Sequence, residues 1–162
     1  MDHRAFCSIW RDREGTALIE TAIILPVLFV LVFGVFEFSW LIFQQHLIST
    51  GIEDAARYIA RSATPNDPTI SRDARYLATT GAIDGDVLRV RGWKAGDVDI
   101  SYNFIANPLG NDGLTNFRGG AVIESVTVST SFAPAPLGFF GILGLSPPTL
   151  KVSHQERVIG SG

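Results

Sequence analysis

The residues with the clearest chemical potential lie at the start of an apolar run. Gly15 is followed five residues later by Glu20, and an arginine-rich leader precedes the pair. The apolar run that follows, residues 22–43, is interrupted only by Pro26, Glu37 and a few small residues. An ionisable side chain is costly at the edge of a hydrocarbon layer, so a carboxylate placed there usually has a function. The pattern predicts a functional position at the entrance of a membrane span.

Other reactive side chains are scattered along the chain. The acidic pairs 84/86 and 97/99 lie near turns or strand edges without an EF-hand-like loop, so we expect them to be solvated. His46 and His154 are far apart in sequence, and the chain has no G-x-S-x-G, Walker A or H-E-x-x-H motif. The sequence therefore predicts no enzymatic activity, no cofactor and no metal ion.

Composition narrows the class of protein further. The 162-residue chain has a net charge of −3 and no stripe of lysines and arginines, which argues against binding to nucleic acid. Cys7 is the only cysteine, so the region after the span contains no disulfide. That region has room for one small globular head.

Residues 22–43 are long enough to cross a bilayer once. As a helix they extend about 33 Å, close to the roughly 30 Å thickness of the hydrocarbon core. Arg4, Arg11 and Arg13 lie close before the span, whereas Arg57 and Arg61 lie further off after it, which predicts a cytoplasmic N-terminus and an exported head. The segment differs from a secretory signal peptide, which would have a shorter apolar core of about 7–15 residues and a small-residue cleavage site. Neither feature is found here.

Helical periodicity continues beyond the span. Ile48, Ile52, Ala55 and Ile59 recur on one face, which predicts a single helix over residues 17–61, half in the membrane and half amphipathic. Glu53 and Arg57 on another face form an i,i+4 pair in the favourable order. Prolines 65 and 68 end this helix, and a second helix is predicted over residues 70–82, ended by residues 84–86.

The period then changes to that of strands. Apolar and polar residues alternate over 98–106 and 125–132, and residues 87–93 and 149–159 are weaker candidates for outer strands. Residues 94–97 are short enough for a hairpin, whereas a longer loop begins at residue 107. The predicted fold class is α+β: a long N-terminal helix, a second short helix, and an antiparallel sheet of three to four strands lying on the distal half of the long helix.

Three segments of the sequence resemble a known protein family. Residues 13–28, the segment 34–37 and the segment 53–57 resemble the TadE-like pseudopilins, which are minor pilins of the tight-adherence (Tad/Flp) type IVb pilus system. The resemblance implies that a prepilin peptidase cuts after Gly15, that Thr16 becomes the new N-terminus, and that Glu20 is the carboxylate at mature position five. A glycine is a poor helix former, so we expect an accessible, unwound segment around Gly15.

The resemblance also implies a division of the chain and a set of partners. Residues 1–15 are a cytoplasmic leader, 16–63 the long helix and 64–162 the exported head, anchored in the bacterial inner membrane or incorporated in the pilus. The implied partners are other minor and major pilins, the prepilin peptidase, the inner-membrane pilus assembly platform and the lipid bilayer. The alternative is an uncleaved single-pass membrane protein whose exported head binds a ligand or a surface.

Thr16, Glu20, Pro26 and Glu37 are the expected assembly contacts. In a filament, Glu20 of one subunit is the natural partner for the new amino group of Thr16 in its neighbour. The plainer interpretation of Glu20 is a carboxylate favoured in the first turn of a helix. Pro26 is expected to kink or locally open the helix. Glu37 either contacts a polar group on a partner helix or is protonated and tolerated in the span.

One apolar segment of the head stands apart. The apolar tract, residues 137–145, is bracketed by prolines and is too short and too rich in glycine to span a membrane. It either folds back onto the core or forms an exposed patch for a partner subunit or the membrane surface. The patch residues are Phe139, Phe140, Ile142 and Leu143.

Overall fold

The computed structural model describes residues 13–110, 113–117 and 120–159. The predicted leader lies outside the described residues except for its last three positions. The elements, in chain order, are helix α1 (Arg13–Ala60), helix α2 (Pro68–Thr80), strand β1 (Val98–Ala106), strand β2 (Val122–Phe132), the short helix α3 (Phe139–Ile142) and strand β3 (Leu150–Arg157). This arrangement confirms the predicted α+β fold class.

Helix α1 has 48 residues and is therefore roughly 70 Å long. It already includes Gly15, so the expectation of an unwound segment there is wrong. A single glycine costs a helix only about 1 kcal/mol relative to alanine, and the good helix formers Ala17, Leu18 and Glu20 follow it closely. The helix also continues through Pro26 without a break.

Helix α2 has a defined cap at each end. Its N-cap residue, Asp67, accepts a hydrogen bond from the Thr69 backbone N–H at 2.8 Å. At the other end Gly81 has a φ of 88°, a left-handed conformation that glycine adopts without steric cost. The helix therefore stops at Gly81, and the predicted stop at residues 84–86 was too late.

The sheet has three strands in the order β1-β2-β3, and both pairs are antiparallel. The strands predicted over 98–106, 125–132 and 149–159 are confirmed. Residues 87–93, however, form bends and turns, and the predicted hairpin at 94–97 is a 3-10 turn leading into β1. Both predictions were wrong because this segment bonds to the helices: the Arg89 N–H donates to the Thr79 carbonyl, and the Arg89 side chain contacts Asp54 at 2.7 Å.

The core of the head is shared between α1 and the sheet. The four α1 residues predicted to share a face are all fully buried: Ile48, Ile52, Ala55 and Ile59. They pack with Ala74 and Ala78 of α2, Val126 and Val128 of β2, and Trp93. The second half of α1 is therefore part of the folded head, which confirms the predicted amphipathic half of the helix.

The two helices are in close contact at Gly51. A Cβ atom added to Gly51 would overlap the backbone carbonyl oxygen of Ala78 and lie 3.0 Å from the Trp93 ring. The residue at position 51 therefore sets how near α2 can lie to α1.

Candidate functional site

The predicted processing residues lie in the first turns of α1. Gly15, Thr16 and Glu20 are all exposed, and a Cβ atom added to Gly15 would meet nothing within 4 Å. Because Thr16 and Glu20 are four residues apart in a helix, their side chains lie on the same face, one turn from each other. Within the part of the chain that is described, the Glu20 side chain has no hydrogen-bonding or ion-pair partner. The segment is thus open to a peptidase or to a neighbouring chain.

The helix beyond Glu20 is apolar on every side. Except for the half-buried Gly34, every residue from 15 to 36 is exposed, including Pro26. By length and composition the helix can cross a membrane, and its most apolar stretch has a mean hydropathy of 2.6. Apolar side chains that are exposed all around a helix normally contact lipid or other apolar helices rather than water.

Glu37 is a buried residue of α1 that bonds to the connection between β2 and β3. Its side chain is only 1% exposed, and both carboxyl oxygens accept hydrogen bonds from the apolar tract. Oε1 accepts from the Leu137 backbone N–H at 2.8 Å, and Oε2 accepts from the Phe139 backbone N–H at 3.2 Å. Both partners belong to its own chain, and in this conformation the carboxyl group is not available to another subunit. Its role as an assembly contact stays a prediction.

Further contacts hold the segment before the tract against α1. The Trp40 indole N–H and the Gln44 amide both donate to the Ala135 carbonyl oxygen at 3.4 Å. Together with Glu37, these side chains follow one face of the helix at intervals of three and four residues. That face forms a polar strip which bonds to the backbone between β2 and β3.

Aromatic pairs complete the contact between α1 and the tract. The rings of Phe33 and Phe139 stack with centroids 5.8 Å apart, and Phe38 meets Phe140 edge-on at 5.6 Å. Each pair joins a residue of α1 to a residue of α3. The tract therefore packs against the apolar half of α1.

The four predicted patch residues fall into two groups. Phe140 is buried and Phe139 half-buried, both against α1, whereas Ile142 and Leu143 are exposed. None of the four belongs to the main core cluster of the head. The tract thus folds back onto the long helix and keeps an apolar outer surface, and its role as a partner patch stays a prediction.

Sequence reasoning missed the connection between Glu37 and the tract. A signal was present, because Trp40 and Gln44 place two further hydrogen-bond donors on the same helical face as Glu37 within an apolar run. Nothing in the sequence indicated that their partners lie about a hundred residues later.

Elsewhere the head offers a surface groove of about 680 Å³ between α1 and α2, lined by Asp54, Arg57, Tyr58 and Leu77 among others. Arg57 in this groove forms the predicted pair with Glu53 at 3.2 Å. Both side chains are well exposed, so the pair contributes at most about 1 kcal/mol. Among the described residues there is no cluster of three or more His, Cys, Asp or Glu side chains suited to a metal ion.

The fold and this site define a class of protein: a small α+β head built onto the end of a long apolar helix, a layout suited to anchoring in a membrane. Residues 15–57 match the family model described as TadE-like protein. The resemblance is confirmed for this segment, which begins at Gly15 and ends within the helical part of the head's core. Comparisons with curated proteins and with solved structures gave no match. The match and the apolar helix together indicate a membrane-anchored protein associated with the Tad pilus.

Proposed function

We propose that this protein is a minor pilin, or pseudopilin, of a Tad-type pilus that a prepilin peptidase cleaves after Gly15. The observation that carries the proposal is the TadE-like match over residues 15–57, since it starts at the proposed cleavage position. The exposed helical start supports access by a peptidase, although the enzyme must bind or unwind a segment that is helical here. After cleavage the mature chain begins at Thr16, and the apolar helix retains it in the inner membrane with the head exported.

Assembly then uses the N-terminal half of α1. Residues 15–36 are free of contacts with the head along most of their surface, so they are available to pack against other pilin helices during priming or capping of the filament. The new amino group on Thr16 is positively charged and close to hydrocarbon, where it needs a partner. Glu20 of a neighbouring chain is the proposed partner, and Glu20 of the same chain, one turn away, competes with it.

The experiment that tests the proposal is determination of the mature N-terminus. The full chain is expressed in membranes with and without a prepilin peptidase, extracted, and measured as an intact protein by mass spectrometry. We expect loss of residues 1–15 only when the peptidase is present. A chain that keeps Met1 in the presence of an active peptidase would favour the alternative, an uncleaved membrane protein with a ligand- or surface-binding head.

Two glycine variants make this test specific. Gly15→Leu should abolish cleavage, because a bulky side chain replaces hydrogen next to the scissile bond. Gly34→Leu is the matched control, since it makes the same change in the same helix at a position where an added Cβ meets nothing within 4 Å. We expect normal cleavage of the control. Equal processing of both variants would contradict cleavage after Gly15.

A further inference from the structure

The connection between β2 and β3 contains no charge. Residues 125–150 include no Asp, Glu, Lys or Arg, and the apolar tract lies in the middle of this stretch. Soluble surface loops of this length normally carry charged residues. Ile142 is 81% exposed, and Leu137, Leu143 and Leu145 are exposed as well. The tract therefore presents an outer surface that is poorly matched to water.

The tract lies beside the apolar half of α1. Phe139 stacks on Phe33, which precedes the predicted end of the span by ten residues, or about 15 Å along the helix axis. At this level the side chains of α1 are exposed around the helix, among them Phe29 and Phe36. Because the tract contacts α1 at Phe33, the helix and the tract are in the same medium at this level. For an anchored chain, that medium is the bilayer.

Six of the nine backbone N–H groups in the tract have an acceptor within the described protein, the exceptions being those of Gly138, Phe140 and Gly141. Inside a bilayer each N–H group needs an acceptor within the protein. Glu37 accepts from Leu137 and Phe139, and carbonyl groups of residues 138–141 accept from the N–H groups of residues 142–145. Pro134 and Pro136 have no N–H group. The Ala135 carbonyl, in turn, accepts from Trp40 and Gln44.

An apolar groove runs between the helix and the tract. It has a volume of about 730 Å³ and is lined mainly by Phe29, Phe33, Phe36, Phe139 and Ile142. Its walls are continuous with the exposed surface of α1, so an acyl chain of a surrounding lipid can enter it without leaving the hydrocarbon layer.

From these observations we propose that the apolar tract is a second membrane-contacting element, which inserts beside α1 into the leaflet nearest the head. Glu37 is a positioning residue that holds the backbone of the tract against the helix. The head is then fixed to the bilayer at two places, and its tilt and height above the membrane are defined. This inference does not depend on cleavage at Gly15, and it applies equally to an uncleaved anchored protein.

Depth-dependent fluorescence quenching tests the insertion. Cys7→Ser removes the only native thiol. A single cysteine is then placed at Ile142, and the full chain is labelled with an environment-sensitive nitrobenzoxadiazole dye. The labelled protein is reconstituted at low density into phosphatidylcholine vesicles that contain lipids with nitroxides on their acyl chains. Phe117→Cys, at an exposed position in the loop at the other end of the sheet, is the matched control. Val35→Cys marks the lipid-exposed face of α1.

We expect the dye at position 142 to be blue-shifted and quenched by the acyl-chain nitroxides to an extent similar to position 35, and several-fold more than at position 117. Two results would overturn the proposal. One is a dye at 142 that behaves like the dye at 117 and is quenched by aqueous iodide. The other is a dye protected from both lipid nitroxides and iodide, which would indicate contact with another copy of the chain. All three labelled side chains are exposed, so the substitutions leave packing intact.

A second measurement addresses Glu37. Glu37→Ala removes both acceptors for the tract, so lipid quenching at position 142 should fall to the level of position 117. Glu53→Ala is the matched control, because it removes another carboxylate of α1, one that lies in the head half of the helix in an exposed pair with Arg57. Unchanged quenching in Glu37→Ala would show that Glu37 does not hold the tract in the bilayer.

Discussion

Gly51→Ala is the perturbation that most directly tests the packing of the head onto the helix. Two effects oppose each other at this position. In the interior of a helix, alanine is favoured over glycine by about 1 kcal/mol. The added Cβ, however, overlaps the Ala78 carbonyl oxygen, which is rigid backbone, and lies 3.0 Å from the Trp93 ring and 3.1 Å from the Ala78 carbonyl carbon.

The clash should exceed the gain in helix propensity. Overpacking a core by one methyl group costs about 1–3 kcal/mol, and the upper end applies where the neighbour is backbone that moves only with its helix. Subtracting the propensity gain leaves a net destabilisation of about 2 kcal/mol for Gly51→Ala. Gly34→Ala is the control, because nothing lies within 4 Å of an added Cβ there, and we expect no loss of head stability.

Urea denaturation of the full chain in non-ionic detergent provides the assay. Trp93 fluorescence reports unfolding of the head in a background with Trp10→Phe and Trp40→Phe, since Trp93 is fully buried. With a slope of about 2 kcal/mol per molar urea, a loss of 2 kcal/mol lowers the midpoint by about 1 M. A midpoint for Gly51→Ala equal to or above that of the parent would refute the close crossing of α1 and α2 at this glycine.

Three further predictions concern separate features. Glu20→Ala should leave a stable, membrane-inserted and cleaved protein that supports few or no pili, and normal piliation counted by electron microscopy would remove the proposed contact with Thr16. Trp93→Phe removes the 3.1 Å hydrogen bond to the Thr130 hydroxyl, so urea unfolding followed by circular dichroism should show a loss of about 1 kcal/mol from that bond plus the cost of the smaller ring. Hydrogen bonds from the Thr69 hydroxyl and backbone N–H lower the pKa of Asp67 below its usual 3.8, so the capping contribution is present at neutral pH and is lost as the pH falls below that value. Hydrogen exchange should accordingly show earlier opening of the first turn of α2 in Asp67→Ala at pH 7, and a smaller difference between variant and parent at pH 2.

Local patterns in the sequence were sufficient for most of the fold. The period of 3.6 in the second half of α1 predicted which side chains are buried, from Ile48 to Ile59, because the repeat depends only on helix geometry. The period of two likewise predicted β1 over its full length and most of β2 and β3. The strand predicted over residues 87–93 does not form, because the alternation of apolar and polar residues is weak there. The contacts of Arg89 with α1 and α2 outweigh the local preference for a strand.

The sequence by itself determined that the chain has an apolar anchoring helix, a TadE-like start and an α+β head, since these follow from composition, periodicity and a short local motif. Only the tertiary structure decided that α2 and Trp93 pack against α1 at Gly51. It also paired Glu37 with the backbone at Leu137 and Phe139 and laid the apolar tract against the membrane half of the helix. The contacts of Glu37 join residues about a hundred positions apart. The groups that bond to its carboxylate are backbone N–H groups, which every residue except proline possesses. No side-chain pattern marks such a partner, so its position emerges only when β2 and β3 pack along the helix.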